Sequence, residues 1–211
     1  MKLEEIKNKT SKLLFFDKKS LKLLEKDDNN LNANLKYWLK IGDLVALKKG
    51  FYIFKDKYEK ETAKDEYLEY LANRLLSPSY LSLEYVLNKY QLLSEPARVL
   101  TSISDKTARE FSNSLGTWRY YSLPAKLFIG YKIKYFKNQP IAEASKAKAL
   151  FDFLYLRFRR GNEPAEKSLA DLRLNLENIN QKEKTELFSY FKLVPGKRWL
   201  ELKKIIEKYA A

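Results

Sequence analysis

Asn32, Lys36, Tyr37 and Lys40 recur at helical spacing, so one face of a helix would carry an amide, two ammonium groups and a phenol. Groups of this kind reach base edges and phosphates in the major groove of DNA. An amide can pair with adenine, and an ammonium with guanine or a phosphate. Leu31, Leu35, Trp38 and Leu39 make an apolar stripe on the other side, which would seat the same helix on a core. Lys48, Lys49, Lys55 and Lys57 follow closely. Beside a DNA-reading face they are candidate phosphate clamps, which position a protein without reading sequence. The plainer reading is that they only solubilise the surface.

These side chains need elements to hold them. Gly42 falls where a helix would end, because glycine accepts the left-handed conformation of a C-terminal cap. Two β-rich runs, residues 44–47 and 51–54, then flank Lys49-Gly50, a tight hairpin turn. Upstream, Asp17 can cap a short helix over residues 18–26, with Leu21 and Leu24 inward. Asp27 to Asn30 would form the turn, and Asn29 or Asn30 the next cap. Helix, polar turn, helix and basic hairpin is the order of a winged helix-turn-helix, expected over residues 1–57. The alternative is a small helix-and-hairpin unit that does no more than pack.

Charge points to a polyanion. Of 211 residues, 41 are Lys or Arg and 27 Asp or Glu, a net charge of +14. Residues 1–60 carry +6, residues 61–130 carry 0 and residues 131–211 carry +8. Two basic ends around a neutral middle suggest a polyanion touched from more than one place. A Lys-rich composition alone explains Lys over Arg, but not the neutral middle.

The chain has no Cys and no His. That excludes disulfides, thiolate nucleophiles, imidazole acid–base pairs and Cys- or His-ligated zinc. Carboxylate-only metal sites stay open. A nuclease of the Asp…Glu-x-Lys kind wants Glu and Lys two apart, whereas Glu143 and Lys146, with Asp105 upstream, are three apart. No glycine-rich phosphate loop is present. A non-enzymatic protein without cofactor, metal or catalytic residues is the expectation. No run is apolar enough to span a membrane, and Met1-Lys2-Leu3-Glu4-Glu5 is unlike a signal peptide, so a cytoplasmic protein is expected.

The charged run 55–61 reads as a linker, and residues 60–211 as a second, mixed domain. Leu68, Leu71, Ala72, Leu75 and Leu76 mark a helix ended by Pro78, and Ser82 caps the next. Residues 99–104, 109–111, 117–123, 131–136 and 140–144 are strand candidates, giving a mostly antiparallel sheet and an α+β fold. Ala147, Leu150, Phe151, Leu154 and Phe158 mark an apolar helix, and Trp199, Leu202, Ile205, Ile206 and Tyr209 the inner side of the last one. Asp152, within the apolar helix, calls for a partner such as Arg109 or Arg119 in a structural ion pair. Lys132, Lys134, Arg157, Arg159 and Arg160 would make a second basic surface for DNA, RNA or an acidic protein. An interaction protein using that surface, with a vestigial winged helix, is the competing functional reading.

A series of short motifs runs through the middle of the chain: Pro78-Ser79-Tyr80-Leu81-Ser82-Leu83-Glu84, Tyr90-Gln91-Leu92-Leu93, Thr101-Ser102-Ile103-Ser104, Gly116-Thr117-Trp118-Arg119-Tyr120, Pro124 to Tyr131, and Ile141 to Asp152. In order and spacing, over about residues 10–160, it resembles the AbiEi family of antitoxins and regulators of phage-defence operons. Leu39, Gly42, Leu44, Lys49-Gly50 and Tyr52 match that family's winged-helix pattern. Departures are Gln91 where the family more usually has Gly, and Ala144 in place of Pro. The resemblance implies an N-terminal winged helix that binds inverted repeats in its own promoter. It also implies a C-terminal domain that opposes a nucleotidyltransferase-like toxin encoded alongside.

Overall fold

The computed structural model describes residues 3–10, 13–159 and 164–209. The fold is α+β. The chain divides into two compact units: residues 1–71 with 111–117, and residues 72–110 with 118–211. The division lies within a helix, further along than the polar run at 55–61.

In the first unit, α1 (Leu3–Lys9) precedes β1 (Phe16–Asp17), α2 (Lys18–Lys22) and α3 (Asp28–Ile41). Next come β2 (Leu44–Lys48), β3 (Phe51–Phe54), α4 (Lys55–Glu59) and α5 (Lys64–Leu75). α3 begins earlier than the asparagines suggest, because Asp27 is the cap: its carboxylate accepts from the backbone N–H of Asn29 (2.9 Å) and Asn30 (3.3 Å). Its end is a Schellman cap at Gly42, φ 82°, where Asp43 N–H donates to Trp38 O and Gly42 N–H to Leu39 O. Leu31, Leu35 and Trp38 are buried with Ile6, Phe16, Leu21, Leu44 and Phe54, and Leu39 packs at the margin. Each such side chain contributes about 1.5–3 kcal/mol when fully removed from water. β2 and β3 form the expected hairpin, and β1 adds a third strand beside β3. Residues 55–59, read as linker, form a helical turn.

α2 is shorter than residues 18–26 but starts where expected: Asp17 accepts from the Ser20 N–H and hydroxyl, each at 2.7 Å. Burial raises the Asp17 carboxyl, yet these hydrogen bonds and the Lys19 charge outweigh it, so its pKa lies below the usual value. A depressed folded pKa contributes stability that is present above the unfolded carboxylate range and lost as pH falls through the folded value. Asp17→Ala is therefore expected to cost about 1 kcal/mol at neutral pH. Urea unfolding at several pH values should show that difference shrinking in acid.

The rest of the chain, apart from residues 111–117 within β6 and β7, makes the second unit: β4 (Ser79–Leu81), α6 (Leu83–Lys89), β5 (Val99–Ser104), β6 (Arg109–Asn113), β7 (Gly116–Ser122), β8 (Tyr131–Phe136) and β9 (Gln139–Ala144) lead to α7 (Lys146–Phe158). α8 (Glu166–Ala170), α9 (Gln181–Phe191) and α10 (Lys197–Tyr209) complete it. The strands form one sheet in the order β6-β7-β5-β4-β9-β8. It is mixed, because β4 pairs antiparallel with β5 but parallel with β9. β8 and β9 pair antiparallel about the turn at Lys137-Asn138. α7 packs against α6 and α9, burying Leu150, Phe151, Leu154 and Phe158. On α10, Leu202 and Ile206 are buried, but Tyr209 is exposed, not inward.

Asp152 has a partner other than the sheet arginines. It is fully buried and forms an ion pair with Lys148, one turn earlier on α7 and equally buried. Tyr80 and Ser82 donate to its other oxygen at 3.0 and 2.8 Å. Ser82 takes the N-cap conformation of α6 but makes no side-chain cap, since its hydroxyl is directed to Asp152. Arg119 pairs with Glu110 at 2.5 Å. Gly130, φ 77°, lies so close to Tyr190 and Lys148 that an added Cβ would collide with the Tyr190 hydroxyl.

Candidate nucleic-acid interface

α3 presents Asn32, Ala33, Lys36, Tyr37 and Lys40 to solvent. Tyr37 is 58% exposed, so its phenol is available as a hydrogen-bonding group. Lys36 and Lys40 have no ion pair among the described residues. The face exists because the core side chains occupy one side of a 14-residue helix, whose capped ends hold it in register. A helix about 10–12 Å across fits a major groove about 12 Å wide.

The hairpin follows directly from α3. Lys49 and Gly50 form its tip, with Gly50 at φ 81° and Lys49 exposed and without an ion pair among the described residues. Lys18 N–H donates to Gly50 O at 2.9 Å and ties the tip to the start of α2. A bulge between Ala46 and Lys48 turns Leu47 into the interior. Lys48 is half-buried, its ammonium 4.0 Å from the centre of the Phe51 ring and 5.7 Å from that of Phe111. That cation–π contact holds it on the protein surface. Lys55 opens α4 and lies 3.6 Å from Glu59. Lys57 donates to the Leu13 carbonyl. The structure thus groups Asn32, Lys36, Tyr37 and Lys40 on one helix face, leaves Lys49 unpaired at the hairpin tip, and engages Lys48, Lys55 and Lys57 within the protein.

The second basic set does not form one surface. Lys132 and Lys134 lie at the β8 edge, beside the start of α7, where both line a cavity with Ser145 and Lys146. Arg157 and Arg159 lie at the other end of α7, about 16 and about 20 Å along the axis from Lys146 at 1.5 Å per residue. Arg160 lies outside the described residues. Lys134 is also taken up by Glu143 Oε2, at 2.6 Å, an oxygen that Lys89 contacts as well, at 2.8 Å. Glu143 is thus a buried structural carboxylate between two ammonium groups. Among the described residues no three His, Cys, Asp or Glu gather as metal ligands. No described helix is long and apolar enough to cross a membrane.

Sequence reasoning missed Lys148, although its i, i+4 relation to Asp152 is visible in the chain, and a charged cavity around Glu84 and Arg173 that no local pattern announces. No protein-family model matches the chain, and a comparison with characterised proteins finds no match.

Proposed function

We propose that the protein is a DNA-binding regulator whose residues 1–57 act as a winged helix-turn-helix, with α3 as recognition helix and the β2–β3 hairpin as wing. One observation carries this reading: α3 keeps an amide, two ammonium groups and a phenol exposed on one face, next to a hairpin tipped by Lys49, and none of these ammonium groups has an ion pair among the described residues. Asn32 suits bidentate pairing with adenine, and Lys36 and Lys40 suit guanine or phosphate. Lys49 suits a phosphate contact that positions the unit. A unit of this kind reads inverted repeats as two copies, one on each half-site.

The resemblance to AbiEi regulators extends the proposal. The protein represses its own operon, in the cytoplasm, and its second unit counteracts a nucleotidyltransferase-like toxin. An adjacent gene for such an enzyme supports that extension, and its absence counts against it. The separation of Lys132 and Lys134 from Arg157 and Arg159 argues against one extended basic face for RNA or an acidic partner.

Fluorescence anisotropy on promoter DNA tests the DNA-binding proposal. Counterion release by several Lys–phosphate contacts should make affinity fall with salt, with a log–log slope of about −0.9 for each contact. Affinity that stays level from low to high salt would refute the phosphate contacts.

A further inference from the structure

A cavity of 700 Å³ in the second unit is lined by the apolar Phe153, Leu172 and Leu174, by the carboxylates of Glu84, Glu95 and Asp171 and by the guanidinium groups of Arg157 and Arg173. A smaller cavity of 160 Å³ adjoins it and shares Glu84, Phe153 and Arg157. We propose that it binds a free apolar or aromatic amino acid, with Glu84 taking the ammonium, Arg173 the carboxylate, and the Phe153–Leu172–Leu174 wall the side chain.

The first observation is a carboxylate oxygen. Glu84 Oε2 is buried and has no hydrogen-bond partner among the described residues. Buried polar atoms are almost always hydrogen-bonded, and a charged acceptor left without a donor is costly. A ligand ammonium supplies both the donor and the opposite charge. On the same cavity Arg173 has no ion pair among the described residues. A guanidinium presents parallel N–H groups that match a carboxylate bidentately. An anion receptor and a cation receptor over an apolar wall define a zwitterion with an apolar side chain. The volume lies within the range of small-ligand sites.

The backbone gives an independent observation. Among the described residues, five other than glycine have positive φ: Leu83, Gln91, Lys137, Asn138 and Arg173. Lys137 and Asn138 are explained by the two-residue turn between β8 and β9, which requires positive φ at both positions. Gln91 (φ 59°) ends α6 in a Schellman cap, with Gln91 N–H donating to Asn88 O and Leu92 N–H to Leu87 O, and the other two line the cavities. Leu83 (φ 60°), next to Glu84 in the chain, lines the smaller cavity, and Arg173 (φ 48°) lines the larger. Such conformations persist where surrounding structure enforces them, and they cluster at ligand sites. The site stands apart from DNA binding, since every residue it uses lies between Leu83 and Asn175.

Calorimetric titration of the full chain with L-phenylalanine and L-leucine is the test, with N-acetyl-L-phenylalanine and L-phenylalaninamide as ligands lacking one charge each. At least one free amino acid should bind, and each capped ligand should bind about tenfold or more weakly. Glu84→Gln should weaken the free amino acid but leave the N-acetyl ligand's affinity as it was. Arg173→Ala should do the same with respect to the amide. Absence of binding by either amino acid at millimolar concentration would overturn the proposal. So would equal affinity for free and capped ligands, which needs no variant to interpret.

Discussion

Asp152→Ala is expected to remove about 3–5 kcal/mol of stability, a large share of what a domain of this size possesses. The substitution leaves the Lys148 ammonium buried with its carboxylate gone, under the rings of Tyr80, Phe151 and Tyr190 at 5.7, 5.0 and 5.4 Å. It also strips Tyr80 and Ser82 of their common acceptor. Burial raises the Asp152 carboxyl and lowers the Lys148 ammonium, with each partner's charge opposing the shift of the other. Both directions say that the interior disfavours the charges and that the pair persists because its members compensate one another. Removing both should therefore hurt less than removing one. The double variant Lys148→Met/Asp152→Leu is expected to recover most of the loss, because an apolar pair of similar volume needs no desolvation. Denaturant unfolding of the two single variants and the double variant measures the coupling directly. Additive losses would mean that the two groups do not compensate each other in the folded chain.

Lys148 and Asp152 also show where reading the chain alone stops. Elements carrying their own periodic signal were legible: β8 alternates from Tyr131 to Phe136, α7 repeats its apolar rows, and Gly42 ends α3. β1 and β4 were not. They have two and three residues, too few for a period, and their conformation is set by the strands they join. β4 lies in the middle of the larger sheet, so Tyr80 and Ser82 could not be placed beside Asp152 without it. The same gap directed Asp152 toward sheet arginines.

The candidate sites divide in the same way. The α3 face was legible because one helix carries all of it. The wider basic set was not, because proximity of Lys132 to Arg157 depends on tertiary placement, and a helix of 13 residues separates them. Charge counting found the cations but could not see which were taken up by Glu143, Glu59 or an aromatic ring. The Glu84 oxygen is a still more distant case, since lack of a donor is a property of the whole neighbourhood.

Substitutions on α3 and at the hairpin tip should alter DNA binding in different ways. Asn32→Ala and Lys36→Ala are each expected to cost about 1–3 kcal/mol of discrimination between operator and random DNA, if each makes a good base contact. Both side chains are exposed, and neither Leu31 nor Leu35 is disturbed, so folding should stay as in the parent. Lys49→Ala should instead weaken binding to every sequence alike and lower the salt slope by about one contact. Lys48→Ala is the informative control. Its ammonium already lies over Phe51, so its loss should affect stability of the hairpin more than affinity for DNA. Competition binding with operator and random duplexes, run at two salt concentrations, separates these outcomes. If Asn32→Ala and Lys36→Ala kept the operator preference of the parent, α3 would not be the reading element. If Lys49→Ala changed sequence preference rather than overall affinity, the hairpin would be reading bases, and the roles assigned to helix and wing would be reversed.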